Sequence, residues 1–431
     1  PLPMNLWVLR NKYLFLLTVA SVFLSYAALR SARFGGAEAL IGFGCIPDNV
    51  CFAGLNAAAI PENASVFPTG GYDGQFYYYM AAWLYGDFEL VSLDGIQAHH
   101  SSRVMVVDSL GFRLPRIGFP LLTGWLYLFG AKALSYGMPI LLLVSHLLVS
   151  WVLFAARTEA GWLFGLNPIS LLSFGLNLAE PLALSLAVIC ILLFLPSGLA
   201  PAESRGRFPG LCRRFRLPVG AVLMLLSLLS KETMFLIGLS MGLAFVLSSI
   251  SLIRRQRSGN SNATLRQLVF FRWNVSVALL LAGVLAFSWY WYADFFGGQG
   301  AAGKIQIPFA GVIEFIQSRP RLISGRGLLL IGLMWMIVFC AYRLLEAARK
   351  QNGWMDRFIL AGLLLNLGLI SMASAEEYWL NFANISRLFA PAMILLAFCR
   401  SGWSFRISAG WMLSLTFLLW LNDFNGLLKS L

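Results

Sequence analysis

Apolar blocks of roughly 15–22 residues recur along the chain, each close to the ~20 residues a helix needs to cross a hydrocarbon core. Composition says the same: 59% of the 431 residues are hydrophobic, 12% are charged, and mean hydropathy is +0.74. Water-soluble domains run nearer 45–50% apolar and about 25% charged, because their surfaces must be covered by polar side chains. Lipid is the solvent that accommodates the excess. Taken as spans, the blocks cover about 13–31, 117–134, 138–156, 178–196, 218–230, 234–252, 273–292, 325–343, 357–373, 387–400 and 407–423. The expected fold is an all-α polytopic membrane protein of about eleven transmembrane helices, with residues 1–431 forming a single transmembrane domain. Arg10 and Lys12 precede a full-length apolar block with no small-residue cleavage site, so this segment is expected to stay as an anchor.

The net charge of +13 raises the possibility of a nucleic-acid partner, but the positive residues sit in short segments between blocks. These are Arg205, Arg207, Arg213, Arg214 and Arg216; Arg254, Arg255, Arg257, Arg266 and Arg272; Arg343, Arg349, Lys350 and Arg357; then Arg400 and Arg406. Short basic loops mark the cytoplasmic face, so the charge reports topology, with some contact to anionic membrane lipids. No nucleic-acid partner is expected. Residues 32–116 have the opposite balance, eight acids against four Lys or Arg, and read as the first non-cytoplasmic loop; 294–324 reads as the second. Placing every basic loop inside requires 160–177 to dip in and out as a re-entrant piece, which the helix-breaking Asn167-Pro168 supports. In the first loop Phe76–Tyr85 can form an interfacial helix, and Cys45 and Cys51 are close enough in sequence for a disulfide in an oxidising compartment.

Chemistry-bearing residues gather on the outer face. Asp73 lies in Gly70-Gly71-Tyr72-Asp73-Gly74-Gln75-Phe76-Tyr77, where a lone carboxylate at the head of an aromatic helix suits a general base. It would equally suit a helix cap. Tyr72, Gln75 and Tyr77 offer stacking faces and polar groups to a sugar, and the tyrosines would equally form an interfacial belt for lipid. Arg113 and Arg116 precede the second block; guanidinium forks match phosphate, and simple anchoring at the interface is the alternative. Lys231-Glu232 follows a block of only about 13 residues, so the turn should lie below the headgroups in a cavity. Arg387 and Glu180 stand at further helix starts, Arg387 with Glu376 and Glu377 as candidate partners. His99 and His100 adjoin without further ligand spacing, and no metal site is expected.

These motifs carry a resemblance. Tyr72-Asp73-Gly74-Gln75-Phe76-Tyr77-Tyr78 and Arg113-Leu114-Pro115-Arg116-Ile117-Gly118-Phe119-Pro120, in a long first loop, resemble bacterial members of the GT-C superfamily of membrane glycosyltransferases linked to cell-surface glycopolymers. Asn167-Pro168, Glu180-Pro181, Lys231-Glu232-Thr233 and Arg387 to Pro391 look like further elements of it. The resemblance implies a GT-C-like fold in the bacterial inner membrane, with its active site facing the periplasm or exterior. It implies a polyprenyl-phosphate-linked sugar donor and a glycan, lipid or protein acceptor. Asp73 would be the base, Arg113, Arg116, Lys231 and Arg387 would hold the donor phosphate, and Tyr72, Gln75, Tyr77, Glu180 and Glu232 would line the substrate site. Many members carry two adjacent acids, whereas Gly74 follows Asp73 here. No cofactor is expected and the metal requirement stays open. The alternatives are a transporter or flippase of a lipid-linked saccharide, which matched halves with midplane sites would favour, and a non-catalytic subunit of a polysaccharide-assembly complex.

Overall fold

The computed structural model describes residues 11–46, 50–67, 71–93, 103–194, 211–257, 263–295, 305–318, 342, 354–380, 382–398 and 403–428. His99, His100 and, apart from Tyr342, the expected span at 325–343 lie outside them. The architecture is helical, with two small two-stranded sheets. Among the described residues, five helices are long and apolar enough to cross a membrane: Lys12–Phe34, Ala131–Ala156, Glu232–Ile253, Leu268–Asp294 and Trp354–Ser371. Shorter apolar helices cover Gly118–Phe129, Glu180–Phe194 and Phe215–Ser230.

The first helix, α1 (Lys12–Phe34), starts where the Asn11 side chain accepts the N–H groups of Tyr13 and Leu14 at 3.0 and 3.2 Å. It stops at Gly35, whose φ of 84° is left-handed. The loop beyond it is a folded scaffold. A hairpin, β1 (Cys45–Ile46) with β2 (Val50–Cys51), is closed by the Cys45–Cys51 disulfide. Next comes α2 (Asp73–Tyr85). It is no surface helix: Gly74 to Ala82 are all buried, so its tyrosines pack inward rather than as a headgroup belt. Strands β3 (Glu89–Ser92) and β4 (Val104–Val107) pair in parallel and lead to the single turn α3 (Leu110–Arg113).

The apolar block at 117–134 is not one span. It forms α4 (Gly118–Thr123) and a tight 3₁₀ stretch, Gly124–Phe129, that ends at Gly130 with φ 103°. Helix α5 (Ala131–Ala156) then runs through the expected break at 135–137. The segment 160–177 is broken as expected: α6 (Thr158–Gly165) and α7 (Pro168–Gly175) meet at Asn167, whose side chain caps α7, with Pro168 in its first turn. The whole of α7 is buried in protein, the setting in which an interrupted helix is tolerated at membrane depth.

Helix α8 (Glu180–Phe194) packs on α9 (Leu211–Ser230), which is longer than the 13-residue block expected at 218–230. Helix α10 (Phe235–Arg257) packs between α11 (Ala263–Asp294) and a later helix, and α9 also touches α11. A short α12 (Ala310–Gln317) precedes that later helix, α13 (Trp354–Ser371). The expected span 387–400 is split into α14 (Phe382–Leu388) and α15 (Ala390–Phe398), because Pro391 cannot donate a helical N–H and disfavours helical backbone before it. The final α16 (Trp403–Leu428) returns to pack on α1.

Candidate functional site

The head of α2 is set by backbone packing. Gly74 sits where a Cβ would lie 2.5 Å from the carbonyl oxygens of both Ile41 and Leu176, so the loop and the turn after α7 clasp the first residues of the helix. The Tyr72 N–H donates to Gly42 O at 3.1 Å. Gln75 completes the brace: its Oε1 accepts from Gly44 N–H at 3.1 Å and from the Tyr79 hydroxyl at 3.3 Å. Gln75 is thus a strap within the loop scaffold.

Asp73 projects from this clasp, and cations from distant segments converge on it. Arg113 Nη1 donates to Asp73 Oδ1 at 2.9 Å, and Arg387 Nη1 to Oδ2 at 3.0 Å; Arg116 Nη1 lies 4.0 Å from Oδ2. Each arginine has a second anchor. Arg113 forks onto Asp108 at 2.7 and 2.6 Å, and its guanidinium lies 4.0 Å from the Phe76 ring centre. Arg116 forks onto Glu232 at 3.0 and 2.9 Å. Arg387 donates through Nε to Glu180 Oε1, which also faces Lys231 Nζ at 3.4 Å. Lys231 Nζ is 3.2 Å from Glu232. Arg387 therefore reaches Glu180 and Asp73.

The scaffold explains the convergence. Gly118 lets the start of α4 press against the end of α9, where a Cβ would be 2.7 Å from Ser230 N, and this sets Arg116 above Lys231-Glu232. Trp289 of α11 donates to Leu114 O at 2.8 Å, holding the turn between the two arginines.

Four carboxylates thus face four cations: Asp73, Asp108, Glu180 and Glu232 against Arg113, Arg116, Lys231 and Arg387. The burial is graded. Glu180 is 0% exposed and the cations are buried, whereas the Asp73, Asp108 and Glu232 side chains are 24%, 33% and 39% exposed. Asp73, Asp108 and Glu232 thus form the accessible rim, and Glu180 and the cations lie beneath.

Several polar atoms around this network are buried without a hydrogen-bond partner among the described residues: Tyr72 OH, Tyr77 OH, Glu180 Oε2, Arg387 Nη2 and Thr233 Oγ1. In native interiors such groups are ordinarily satisfied by bound water, an ion or a ligand.

Burial by itself would disfavour the Asp73 carboxylate, but the charges of Arg113, Arg387 and Arg116 outweigh it and hold its pKa well below the usual carboxylate range. Burial pushes the Tyr72 phenol up to about 12 against the opposing pull of Arg387, and burial likewise raises Tyr77, which lies within electrostatic reach of Arg116, Glu180, Arg387 and Asp73. Both phenols stay protonated and able to donate.

Tyr72, Asp73, Tyr77, Arg113, Arg116, Glu180, Lys231, Glu232 and Arg387 thus meet in one place; Gln75 braces the helix, the Cys45–Cys51 pair closes the hairpin, and Arg387 pairs with Glu180 and Asp73 where the sequence suggests Glu376 and Glu377. Asp108 is the member that sequence reasoning missed. Its only local sign is a position five residues before Arg113, and it arrives through the long-range pairing of β3 with β4. Among the described residues no three His, Cys, Asp or Glu side chains converge as a metal-ligand set. Comparison with protein-family models, curated proteins and solved structures returns no match.

Proposed function

We propose that this chain is an inverting glycosyltransferase that moves a sugar from a polyprenyl-phosphate donor to a glycan, lipid or protein acceptor. The reading places the site on the non-cytoplasmic face of a bacterial inner membrane, in a fold of about eleven spans with 160–177 re-entrant. One observation carries it: Asp73 is ringed by Arg113, Arg116 and Arg387, with Lys231 bound into the same network and hydrogen-bonding atoms left unused around it. A carboxylate beside clustered guanidinium groups is what acceptor deprotonation and phosphate departure require together.

In this mechanism the acceptor hydroxyl gives its proton to Asp73 as its oxygen attacks the anomeric carbon. The bond from that carbon to the phosphate oxygen breaks on the opposite side, and polyprenyl phosphate leaves with the electron pair. Held by three arginines, Asp73 is a weak base in the resting protein. A donor phosphate competing for Arg387 and Arg113 would loosen their hold and raise its basicity, so that the base is armed only when donor is present. Arg387 Nη2, Tyr72 OH and Tyr77 OH supply donors that no group among the described residues uses.

The test is to incubate purified protein with a panel of polyprenyl-phosphate sugars and measure release of polyprenyl phosphate. Release by the wild type and its loss in Asp73→Asn, in a variant that still inserts and unfolds cooperatively, is the expected result. Wild-type turnover in Asp73→Asn would overturn the mechanism.

A further inference from the structure

A surface beside the charged cluster has no role in the chemistry above, yet it is fastened to the segment that leads to Arg387. Residues 305–318 hang directly from the end of the membrane-length helix α13. Gln306 N–H donates to Met372 O at 2.7 Å and Phe309 N–H to Ser371 O at 2.6 Å, and Ile305 bridges to Ala373. Helix α12 follows at once. Its inward face, Gly311 and Phe315, is buried: Gly311 packs on the Ala373 carbonyl with no room for a side chain, and the Phe315 and Trp379 ring centres are 6.1 Å apart. Its outward face is also apolar. Phe309, Ile313 and Ile316 recur at helical spacing and are 60%, 53% and 57% exposed, with Ile307 at 79% beside them. No described segment covers this stripe. The turn beneath, Ala375–Trp379, carries Tyr378, which lies within electrostatic reach of Glu232, Arg116 and Arg387.

Position decides what covers the stripe. Phe309 and Gln306 are bonded to the last residue of a candidate membrane span and to the residue after it. At ~1.5 Å per residue the stripe therefore sits within a few ångströms of where the span leaves the hydrocarbon. A helix with outward Phe and Ile at that height lies in the boundary between acyl chains and headgroups.

We propose that α12 is an interfacial helix seated in the lipid boundary through Ile307, Phe309, Ile313 and Ile316, and that this seat fixes the height of the Ala375–Trp379 turn beside the charged cluster. The inference rests on the membrane placement of α13 and not on the transferase reading, so either can fail alone.

The test uses the full chain in phosphatidylcholine–phosphatidylglycerol nanodiscs. Ile313→Cys is labelled with an environment-sensitive fluorophore, and the unsubstituted protein treated identically gives the background from native cysteines. Quenching by lipids bearing a shallow doxyl group, with several-fold protection from aqueous iodide, is expected. Ile316→Cys repeats the measurement should the first variant misfold, and Glu314→Cys should be quenched less by lipid and more by iodide. Free access of iodide to both isoleucine positions would overturn the proposal. Protection from both quenchers in particles holding two copies would also overturn it, assigning the stripe to a second copy of the chain.

Discussion

Two buried charge clusters tie this molecule together, and they are built differently. The first gathers Asp73, Asp108, Glu180 and Glu232 with Arg113, Arg116, Lys231 and Arg387 from many chain segments. The second joins only the ends of the fold: Asp423 of α16 accepts from Arg33 at 2.7 Å and from Arg30 at 3.4 Å, both on α1. There the Tyr26 phenol is engaged with Asp423 and Arg30, and Arg30 and Arg33 lie close to the Phe34 ring. Among the described residues, the phenols of Tyr72 and Tyr77 and one arm of Arg387 are buried without a hydrogen-bond partner in the first cluster, and Arg30 Nε is in the second. The second has the composition of a staple, whereas the first keeps hydrogen-bonding capacity that its own protein groups do not consume.

If that contrast is functional, damage to the two clusters should separate turnover from stability. The largest effect is expected from Asp73→Asn: loss of a general base costs about 10²–10⁴-fold in rate, read as polyprenyl-phosphate release from protein that is still folded, while the unfolding midpoint falls because Arg113 and Arg387 lose a counter-charge. Arg387→Gln should hurt both properties. It strips Glu180, which is wholly buried, of its closest partner, and breaking a buried pair costs about 3–5 kcal/mol, so the midpoint should fall and turnover should vanish. Arg387→Lys should recover stability more than activity, since an ammonium cannot span two carboxylates as a fork does.

Asp108→Asn sharpens the comparison from the rim. It weakens the fork that orients Arg113, and loss of one charge-assisted bond is worth about 1.5–3 kcal/mol. The expected outcome is a raised KM for the donor with a smaller change in kcat. Asp423→Asn should lower the unfolding midpoint alone, by about 1–2 kcal/mol given that Arg33 is part-exposed. A fall in kcat without loss of stability would erase the distinction between the clusters.

The smallest effect concerns pH. The Asp73 pKa is depressed in the folded chain, so its stabilising contribution is complete above the ordinary Asp value of about 3.9 and is lost only as pH falls through the folded one. The kcat/KM profile, which reports the free enzyme, should therefore show no acid limb from Asp73 between about pH 5 and 8. An acid limb in that window that shifts in Arg387→Lys would show the resting arginine ring to be looser than described.

Much of this arrangement can be read from periodicity and local motif. The long helices at 12–34, 131–156 and 354–371 follow apolar blocks, and the break at Asn167-Pro168 follows from backbone chemistry. The helix headed by Asp73 was also legible, but its environment was not. Three consecutive tyrosines resemble an interfacial belt, and only tertiary packing turns them inward. The division at Gly130 rather than at 135–137 depends on a left-handed glycine that hydropathy does not register. The pairing of Arg387 with Glu180, 207 positions away, is a long-range event with no signature in local spacing, and for Asp108 the five-residue separation from Arg113 does not by itself distinguish an ion pair from two solvated loop charges.

The clasp around Gly74 bears on the single-carboxylate motif. An acid in its place would force its Cβ against two backbone carbonyl oxygens at once. Neither is the flexible end of a side chain, so neither can swing aside cheaply. Restoring an Asp-Asp pair at 73 and 74 would therefore unseat the helix that presents the first acid. In this chain the solitary carboxylate is a steric property of the scaffold, and any second acid for the chemistry must come from elsewhere in the fold, as Asp108, Glu180 and Glu232 do.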